Sequence, residues 1–215
     1  MNIIAIIGGG PKRYIPDLQP YYEETVHWIG ADRGAEVLLE RGVPITKALG
    51  DFDSVTSATL KQIKAKAAEV DVYPEEKDDT DLEIAVMEAM KMKPDKILLF
   101  GVTGGRIDHT LANIQLLYTL LKAEIPCTII DTQNQMELTS PGTHAVTRNT
   151  DYPYISFLPL TMEVTGLHLE GFYYPLENND LPIGSTLCMS NKLVKDIGTF
   201  SYTQGILLLI RSRDI

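Results

Sequence analysis

Residues 96–122 of this 215-residue chain read KILLFGVTGGRIDHTLANIQLLYTLLK, and they decide the fold. The apolar run Lys96–Phe100 lacks period-two alternation, which is typical of a strand that is buried on both faces of a sheet. A glycine-rich loop follows. Apolar residues then repeat every three or four positions across Asp108–Lys122, which predicts a helix. A strand, a loop and a helix in this order are the unit of a parallel sheet with right-handed crossovers.

The same alternation of strand-like and helix-like patterns extends back to the start of the chain. Further strand-like runs are Ile3–Ile7, His27–Ala31, Thr46–Leu49, Val70–Tyr73 and Cys127–Ile130, and further helical patterns are Gly34–Arg41, Ser57–Ala68 and Asp81–Met92. We therefore expect an α/β domain over residues 1–132, in which helices flank a mostly parallel sheet.

After Asp131 the pattern changes, because no long helical period remains. Strand-like segments recur instead at Met136–Thr139, His144–Thr147, Tyr154–Leu158, Met162–His168, Ser185–Met189, Leu193–Ile197 and Gly205–Ile210. Turn signals separate these segments, among them Asn178-Asn179-Asp180 and Pro182. We therefore expect residues 133–215 to form a small all-β domain, an antiparallel sandwich.

Composition and charge exclude several classes of function. The formal net charge of -10 at pH 7 repels phosphate backbones, so no nucleic-acid partner is expected, whereas a divalent metal or a cationic substrate would be attracted. No segment approaches the roughly 18 apolar residues of a membrane span, and Ile3–Ile7 is too short for a signal-peptide core. Cys127 and Cys188 lie in apolar stretches without metal-type spacing, which favours two reduced, buried thiols in a cytoplasmic protein.

Glycines, carboxylates and basic side chains follow five successive predicted strands. The loops in question contain Gly8-Gly9-Gly10, Asp32-Arg33-Gly34, Gly50-Asp51-Phe52-Asp53-Ser54, Glu75–Asp81 and Gly101–His109. In an open parallel sheet, ligands bind outside the carboxyl ends of the strands. The sequence therefore predicts a ligand site where these loops meet at one edge of the sheet.

Two of the loops are acidic and together predict a metal site. Asp51 and Asp53 come from one tight turn and can face a common point if Phe52 points into the core. Asp79 and Asp81 lie where the next helix is predicted to begin, and aspartates there can also serve as helix caps. Like charges at this density are unfavourable without a cation, and Mg²⁺ prefers carboxylate oxygens. We therefore expect both loops to bind Mg²⁺.

A phosphate cradle is expected in the glycine loop before the helix Asp108–Lys122. Gly104 and Gly105 allow backbone N–H groups to approach a phosphate, and the positive end of the helix follows. Arg106 can hold two phosphate oxygens, and His109 stands beside Asp108 in the first turn of the helix. The glycine run of the first loop matches neither G-x-G-x-x-G nor a Walker A sequence, so it is either a tight turn or a phosphate contact.

Taken together, these residues resemble the thiamine pyrophosphokinase family. The matching motifs, in the family's order, are Ala31-Asp32-Arg33-Gly34-Ala35, Gly50-Asp51-Phe52-Asp53-Ser54, Lys77-Asp78-Asp79-Thr80-Asp81, Gly104-Gly105-Arg106-Ile107-Asp108-His109 and Met189-Ser190-Asn191-Lys192. The resemblance implies that the hydroxyl of thiamine attacks the β-phosphorus of ATP, which gives thiamine diphosphate and AMP. Such a transfer needs charge neutralisation and positioning more than covalent catalysis.

The resemblance also implies roles for individual residues. Mg²⁺ and the triphosphate would be held by Asp51, Asp53, Asp79 and Asp81, and ATP also by Lys77, Gly104, Gly105, Arg106, Asp108 and His109. One of the four metal-site carboxylates, or Asp32, would accept the hydroxyl proton, and the sequence leaves that choice open.

The family's thiamine site lies at a homodimer interface and uses C-terminal residues of the partner subunit, to which Ser190 and Asn191 correspond. A stacking aromatic is expected near them. The only tryptophan, Trp28, lies instead in the second predicted strand. Phe200 or Tyr202 could take its place as the stacking aromatic, although both are expected in the core.

Other functions would use the same features. A diphosphokinase acting on a pterin-type alcohol would keep both acidic loops and change the C-terminal pocket. A phosphohydrolase would use the metal to activate water. A non-catalytic sensor of nucleotide or thiamine would need fewer carboxylates than this chain has.

Overall fold

Parallel strands in the order β4-β3-β2-β1-β5-β6 form the sheet of the first unit, Met1–Thr132, in a computed structural model that describes residues 1–23 and 25–214. Their bounds are β1 Ile3–Ile7, β2 Val26–Ala31, β3 Lys47–Gly50, β4 Glu69–Val72, β5 Lys96–Phe100 and β6 Cys127–Ile130. Successive strands run outward from β1 on one side and from β5 on the other. Between β1 and β5, therefore, the loops at the carboxyl ends diverge and leave a crevice, which is where such sheets bind ligands.

The helices of this unit are α1 Arg33–Glu40, α2 Ser57–Lys66, α3 Asp81–Lys91 and α4 Ile107–Lys122. Val37 and Leu38 of α1 and Ile63 of α2 share a core with alternate residues of the strands, such as Ala5 and Ile7. Helix α3 packs against β1, β2 and β3 through its buried face. None of the helices in the described part of the chain is long and apolar enough to cross a membrane.

Helix α1 approaches the sheet closely because position 34 is a glycine. A Cβ atom there would lie 1.8 Å from the carbonyl oxygen of Ile7, far inside van der Waals contact. The contact joins the first turn of α1 to the end of β1. It therefore fixes where Asp32, the residue before α1, stands at the carboxyl edge of the sheet.

The second unit, Gln133–Ile215, is built from antiparallel strands. Their bounds are β7 Asn134–Thr139, β8 Gly142–Thr147, β9 Tyr154–Pro159, β10 Glu163–Glu170, β11 Leu176–Pro182, β12 Ile197–Tyr202 and β13 Leu207–Ser212. Strand β13 pairs with β7 and β9, and a separate sheet has the order β11-β10-β12-β8. Phe157 and Leu209 from the first set pack with Phe200 and Leu167 from the second in one core, so the unit is a sandwich.

The predicted fold class is confirmed: an α/β portion with a parallel sheet is followed by an antiparallel all-β portion. Trp28 is buried in β2, and Phe200 and Tyr202 are buried in β12, as expected. Cys127 and Cys188 are both buried, in agreement with the prediction for the thiols.

Two predicted strands of the second unit are wrong. Ser185–Met189 contains no strand residue, and Leu193–Ile197 contributes only an isolated bridge and the first residue of β12. The segment read as a turn at Asn178-Asn179-Asp180 is instead part of β11. This is an edge strand whose polar side chains are exposed, and Asn178 has a φ of 54° where its pairing with β10 shifts register. Pairing with β10 therefore overrides the low strand propensity of the segment.

Candidate active site

A cavity of about 800 Å³ lies at the carboxyl ends of the parallel strands. The loops after β1, β2, β3, β4 and β5 all contribute to it, as the sequence predicts for a ligand site at this edge. Its lining includes Gly8, Gly9, Gly10, Lys12, Asp32, Asp51, Glu75, Lys77, Asp79, Asp81, Gly105, Arg106, His109 and Asn113. Asp53, Gly104 and Asp108 lie beside the cavity and are not part of its lining.

Three carboxylates converge at one side of the cavity. Asp32, Asp51 and Asp53 each offer an oxygen, and these oxygens lie within 4.8 Å of one another. Phe52 is only 3% exposed, so the aspartates on either side of it face outward together. Asp32 and Phe52 both have positive φ, 49° and 57°, a conformation that is unfavourable for residues other than glycine. Such strain is often concentrated at functional sites.

Hydrogen bonds hold two of these carboxylates in place. Asp51 accepts from the backbone N–H of Asp53 at 3.1 Å and from Lys77 Nζ at 3.0 Å, and the hydroxyl of Ser54 donates to Asp32 at 2.7 Å. The N–H of Asp53, helped by Lys77 and opposed by burial, lowers the pKa of Asp51. The negative charge of Asp51 in turn raises the pKa of Asp53. Asp51 therefore loses its proton at a lower pH than an ordinary aspartate does, and Asp53 loses its proton at a higher pH.

Lys77 connects the two acidic loops. Its Nζ lies 3.0 Å from Asp51 Oδ2 and 3.2 Å from Asp81 Oδ1. The contact with Asp81 is close enough for an ion pair, but its angles do not make a hydrogen bond. Burial raises the pKa of Asp81, and Lys77, which acts in the opposite direction, does not offset this effect. Asp81 Oδ1 and Asp32 Oδ1 are thus buried oxygens without a hydrogen-bond donor among the described residues. Buried polar atoms in this state are rare. Asp81 Oδ1 keeps Lys77 as its ion-pair partner, whereas Asp32 Oδ1 suits a further cation.

Helix α3 is capped by a threonine. The side chain of Thr80 accepts the backbone N–H of Glu83 at 3.2 Å. The aspartates around it are therefore not needed as the cap, which was the alternative role for this loop. Asp79 and Asp81 both line the cavity, whereas Asp78 does not.

The loop Gly101–Arg106 is fixed from several sides. Asn113 Nδ2 donates to the carbonyl of Val102 at 2.8 Å, and the hydroxyl of Thr103 donates to the buried carboxylate of Asp131 at 2.7 Å. Gly104 has a φ of 78° and lies against the ring of Tyr14. Tyr14, Thr103 and Asp131 were not predicted from the sequence as supports of this loop. A carboxylate directly after the buried strand Cys127–Ile130 was the available signal for Asp131.

Arg106 is 75% exposed at the mouth of the cavity and is paired with Asp108. Its guanidinium donates to the Asp108 carboxylate at 3.2 and 2.6 Å, and the backbone N–H of His109 donates to the same group at 2.9 Å. The hydrogen bond from Arg106 is the main cause that lowers the pKa of Asp108 to about 2. Asp108 therefore stays charged and orients Arg106, and His109 faces the cavity from the first turn of α4.

In the second unit, Asn191 supports an exposed aromatic. The Asn191 side chain is 2% exposed; its Nδ2 donates to the carbonyl of Tyr174 at 2.8 Å and its Oδ1 accepts the Tyr174 N–H at 3.0 Å. The adjacent Ser190 has a φ of 53°, and its N–H donates to Ser156 at 2.9 Å. Tyr174 itself is 59% exposed. Trp28, Phe200 and Tyr202 were the aromatics considered from the sequence, and Tyr174 was not among them.

Two family models match the chain. The model described as "Thiamin pyrophosphokinase, catalytic domain" matches residues 18–129, and "Thiamin pyrophosphokinase, vitamin B1 binding domain" matches residues 143–207. Thiamine pyrophosphokinase of Bacillus subtilis (strain 168) is 46% identical over 214 residues, which cover 100% of both chains. Thiamin pyrophosphokinase 1 of Caenorhabditis elegans is 27% identical over 152 residues, which cover 67% of this chain and 60% of the relative.

Solved structures agree in fold over nearly the whole chain. The crystal structure of thiamine pyrophosphokinase from Bacillus subtilis has a TM-score of 0.94 at 46% identity and covers 99% of this chain and 100% of its own. The structure from Geobacillus thermodenitrificans has a TM-score of 0.90 at 45% identity, with coverage of 99% and 98%.

Proposed function

The chain belongs to the thiamine pyrophosphokinase family, whose members transfer the diphosphoryl group of ATP to thiamine, and from this premise we propose that the cavity of its first unit is the site of that transfer. One observation carries the placement. Carboxylates from two loops, joined by Lys77, face a glycine-rich loop and the N-terminus of α4 across a single cavity. Carboxylates on one side and phosphate-binding groups on the other suit a metal-bound triphosphate.

We propose that Mg²⁺ binds at the acidic side of the cavity. Asp51 and Asp53 would be its principal ligands together with Asp32, and Asp79 and Asp81 would hold it from the second loop. The converging oxygens of the first three, and the buried Asp32 Oδ1 that accepts no hydrogen bond from a described residue, support this assignment. When bound, Mg²⁺ supplies positive charge against the phosphate oxygens of ATP.

The remaining groups bind and orient the nucleotide. Backbone N–H groups of Gly104 and Gly105 and the positive end of α4 would face the phosphates, with Arg106 and Lys77 as the side-chain cations. His109 would contact the nucleotide from α4. A carboxylate of the acidic cluster, Asp32 included, would accept the proton of the thiamine hydroxyl as the oxygen attacks the β-phosphorus.

Product analysis tests this function directly. The protein is mixed with ATP, Mg²⁺ and thiamine, and the nucleotide and thiamine products are separated by chromatography. We expect AMP and thiamine diphosphate in equal amounts. ADP or orthophosphate as the main product, or the absence of turnover, would contradict the proposal, and transfer to a hydroxymethylpterin in preference to thiamine would favour the pterin alternative.

Gly104→Ala should weaken ATP binding. A Cβ atom at this position would lie 2.1 Å from the Tyr14 ring, and the φ of 78° is strained for alanine, so the phosphate loop must shift. We expect KM for ATP to rise about tenfold, which is what a misplaced binding group costs. Gly105→Ala is the matched control, because its Cβ would meet Pro11 at an ordinary 3.6 Å. Equal KM values for the two variants would contradict the role of loop geometry.

We propose that Tyr174 is the aromatic that stacks on thiamine. The exposed ring is held by Asn191 from the motif that the family resemblance assigns to the thiamine pocket. Tyr174→Ala should raise KM for thiamine about tenfold, the value of one cation–π or stacking contact, and leave KM for ATP unchanged. Tyr174→Phe should retain binding, and Ile183→Ala, which removes an exposed apolar side chain beyond the far end of β11, is the control. A thiamine KM that rises equally in both alanine variants would exclude a specific role.

We propose that the working form is a homodimer with the thiamine site at the subunit interface. Helix α4 supports this, because Ile107, Leu111 and Tyr118 are exposed along one face of it. Apolar stripes of this kind mark surfaces that associate. Sedimentation should give twice the 23.9 kDa of one chain, and a mass of one chain at assay concentration would contradict the proposal.

We further propose a cytoplasmic location. The two buried thiols, Cys127 and Cys188, support it, because reduced cysteines are usual in reducing compartments. Fractionation of cells that express the protein would test this placement.

A further inference from the structure

Lys47 is a charged side chain inside the first unit, at the start of β3, and it does not line the cavity assigned to the transfer. It is 7% exposed, and its Nζ lies 2.7 Å from Asp71, 2.9 Å from Glu88 and 3.2 Å from Glu69. Removing an ammonium from water is costly, so a lysine is rarely buried unless such partners surround it.

Lys47 keeps its positive charge at neutral pH. Burial lowers the pKa of Lys47, but the hydrogen bonds that it donates to Asp71, Glu88 and Glu69 outweigh burial and raise the pKa above its ordinary value. The cluster is therefore one cation held by three anions, with Lys91 paired to Glu88 on the outer surface of α3.

The three elements joined by Lys47 are those that carry the acidic edge. Lys47 itself is in β3, which ends at Gly50, directly before Asp51. Glu69 and Asp71 are in β4, which leads into the loop of Lys77, and Glu88 is in α3, which begins at Asp81. Lys77 joins Asp51 to Asp81 at the cavity, and Lys47 joins the same strand and helix deeper in the unit. Two ammonium groups thus link the elements that carry the acidic loops.

We propose that Lys47 is a positioning residue for the metal-nucleotide site, because it fixes β3, β4 and α3 relative to one another and so sets the spacing of the two acidic loops. This inference rests on the proposed function of those loops. It assigns Lys47 no contact with substrate. A lysine that only stabilised the fold would change the fraction of folded protein and leave the metal affinity of the folded molecules unchanged.

Metal binding tests the inference without turnover. Mn²⁺ binding is measured by electron paramagnetic resonance, and the Mg²⁺ concentration for half-maximal formation of thiamine diphosphate is measured beside it, at a temperature where circular dichroism shows each variant folded. Lys47→Met removes the charge and keeps an apolar stem. Lys47→Arg keeps a cation that can hold carboxylates. Lys91→Met is the matched control, because Lys91 pairs with the same Glu88 from a largely exposed position.

We expect Lys47→Met to weaken Mn²⁺ binding about tenfold, the lower end of the loss seen when a residue that orients metal ligands is removed, with KM for thiamine unchanged. Lys47→Arg should restore much of the binding, and Lys91→Met should bind Mn²⁺ as the wild type does. A folded Lys47→Met protein with wild-type Mn²⁺ binding overturns the inference.

A second pair of variants covers the case in which Lys47→Met does not fold. Asp71→Asn and Glu88→Gln each remove one arm of the cluster, and each should weaken Mn²⁺ binding; wild-type binding in both overturns the inference. A failure of the proposed function would be recognised by a different result. A wild-type protein that binds Mn²⁺ but forms no thiamine diphosphate would contradict that function, and the role of Lys47 would still be decided by the binding measurements.

Discussion

Asp51→Asn should lower the rate of thiamine diphosphate formation by about 1,000-fold, in the range found when a charge-stabilising group is removed from an active site. The substitution keeps the shape of the side chain and removes its charge. Asp51 is the carboxylate that meets both Asp53 and Lys77, so it stands at the centre of the acidic side of the cavity. Its charge balances Lys77 and, in the proposed function, binds the metal.

The same change should have little effect on stability. Lys77 loses one partner but keeps Asp81, and Asp53 and Asp32 lose a repulsive neighbour. These effects oppose each other across partly exposed groups, so the free energy of unfolding in urea should change by less than about 1 kcal/mol.

Asp79→Asn should behave in the same way, because this carboxylate lines the cavity from the second acidic loop. The adjacent Asp78 is outside the lining, which makes Asp78→Asn the matched control with wild-type activity expected. Steady-state rates at saturating ATP and thiamine, with Mg²⁺ varied, separate weaker metal binding from a slower reaction. Substantial activity retained by both Asp51→Asn and Asp79→Asn would refute the metal role of the two loops.

Gly34→Ala should lower the free energy of unfolding by about 3 kcal/mol, the upper end of the cost of an overpacked core. The added methyl group would lie 1.8 Å from the carbonyl oxygen of Ile7, and no side-chain rotation can relieve a contact between two backbone positions. Helix α1 must therefore move away from the end of β1. Asp32 would move with it, so activity should fall even in the fraction of molecules that remains folded.

Urea denaturation followed by circular dichroism measures this loss. Gly105→Ala is the control, because its new methyl group would meet only Pro11 at 3.6 Å and its φ is not in the left-handed region. A wild-type unfolding midpoint for Gly34→Ala would show that α1 can shift without cost, which would remove the reason for glycine at this position.

The first unit could be predicted well because its signals are local. Ile3–Ile7, Lys96–Phe100 and Cys127–Ile130 are apolar runs whose bounds the structure reproduces. Strand β11 could not be found in this way. It is polar and lies at a sheet edge. It is a strand because it pairs with β10, and its own residues do not indicate that pairing.

The same contrast between local signals and distant contacts applies to the residues of the site. Loops that follow predicted parallel strands could be assigned to one edge from sequence alone, and the structure brings Asp32, Asp51 and Lys77 to one cavity. Supports that come from distant segments could not be predicted. The ring of Tyr14 against Gly104 is such a case, since nothing near either residue in the chain indicates the other.

The bond pattern of Asn191 has a consequence for redesign. The Asn191 side chain hydrogen-bonds to the backbone N–H and the backbone carbonyl of residue 174, and these bonds do not involve the ring. The side chain at position 174 can therefore be exchanged while its anchor stays intact. In the proposed thiamine site this position faces the acceptor, so a library of substitutions at residue 174 is expected to change which heterocyclic alcohol is accepted while the Asn191 hydrogen bonds stay intact.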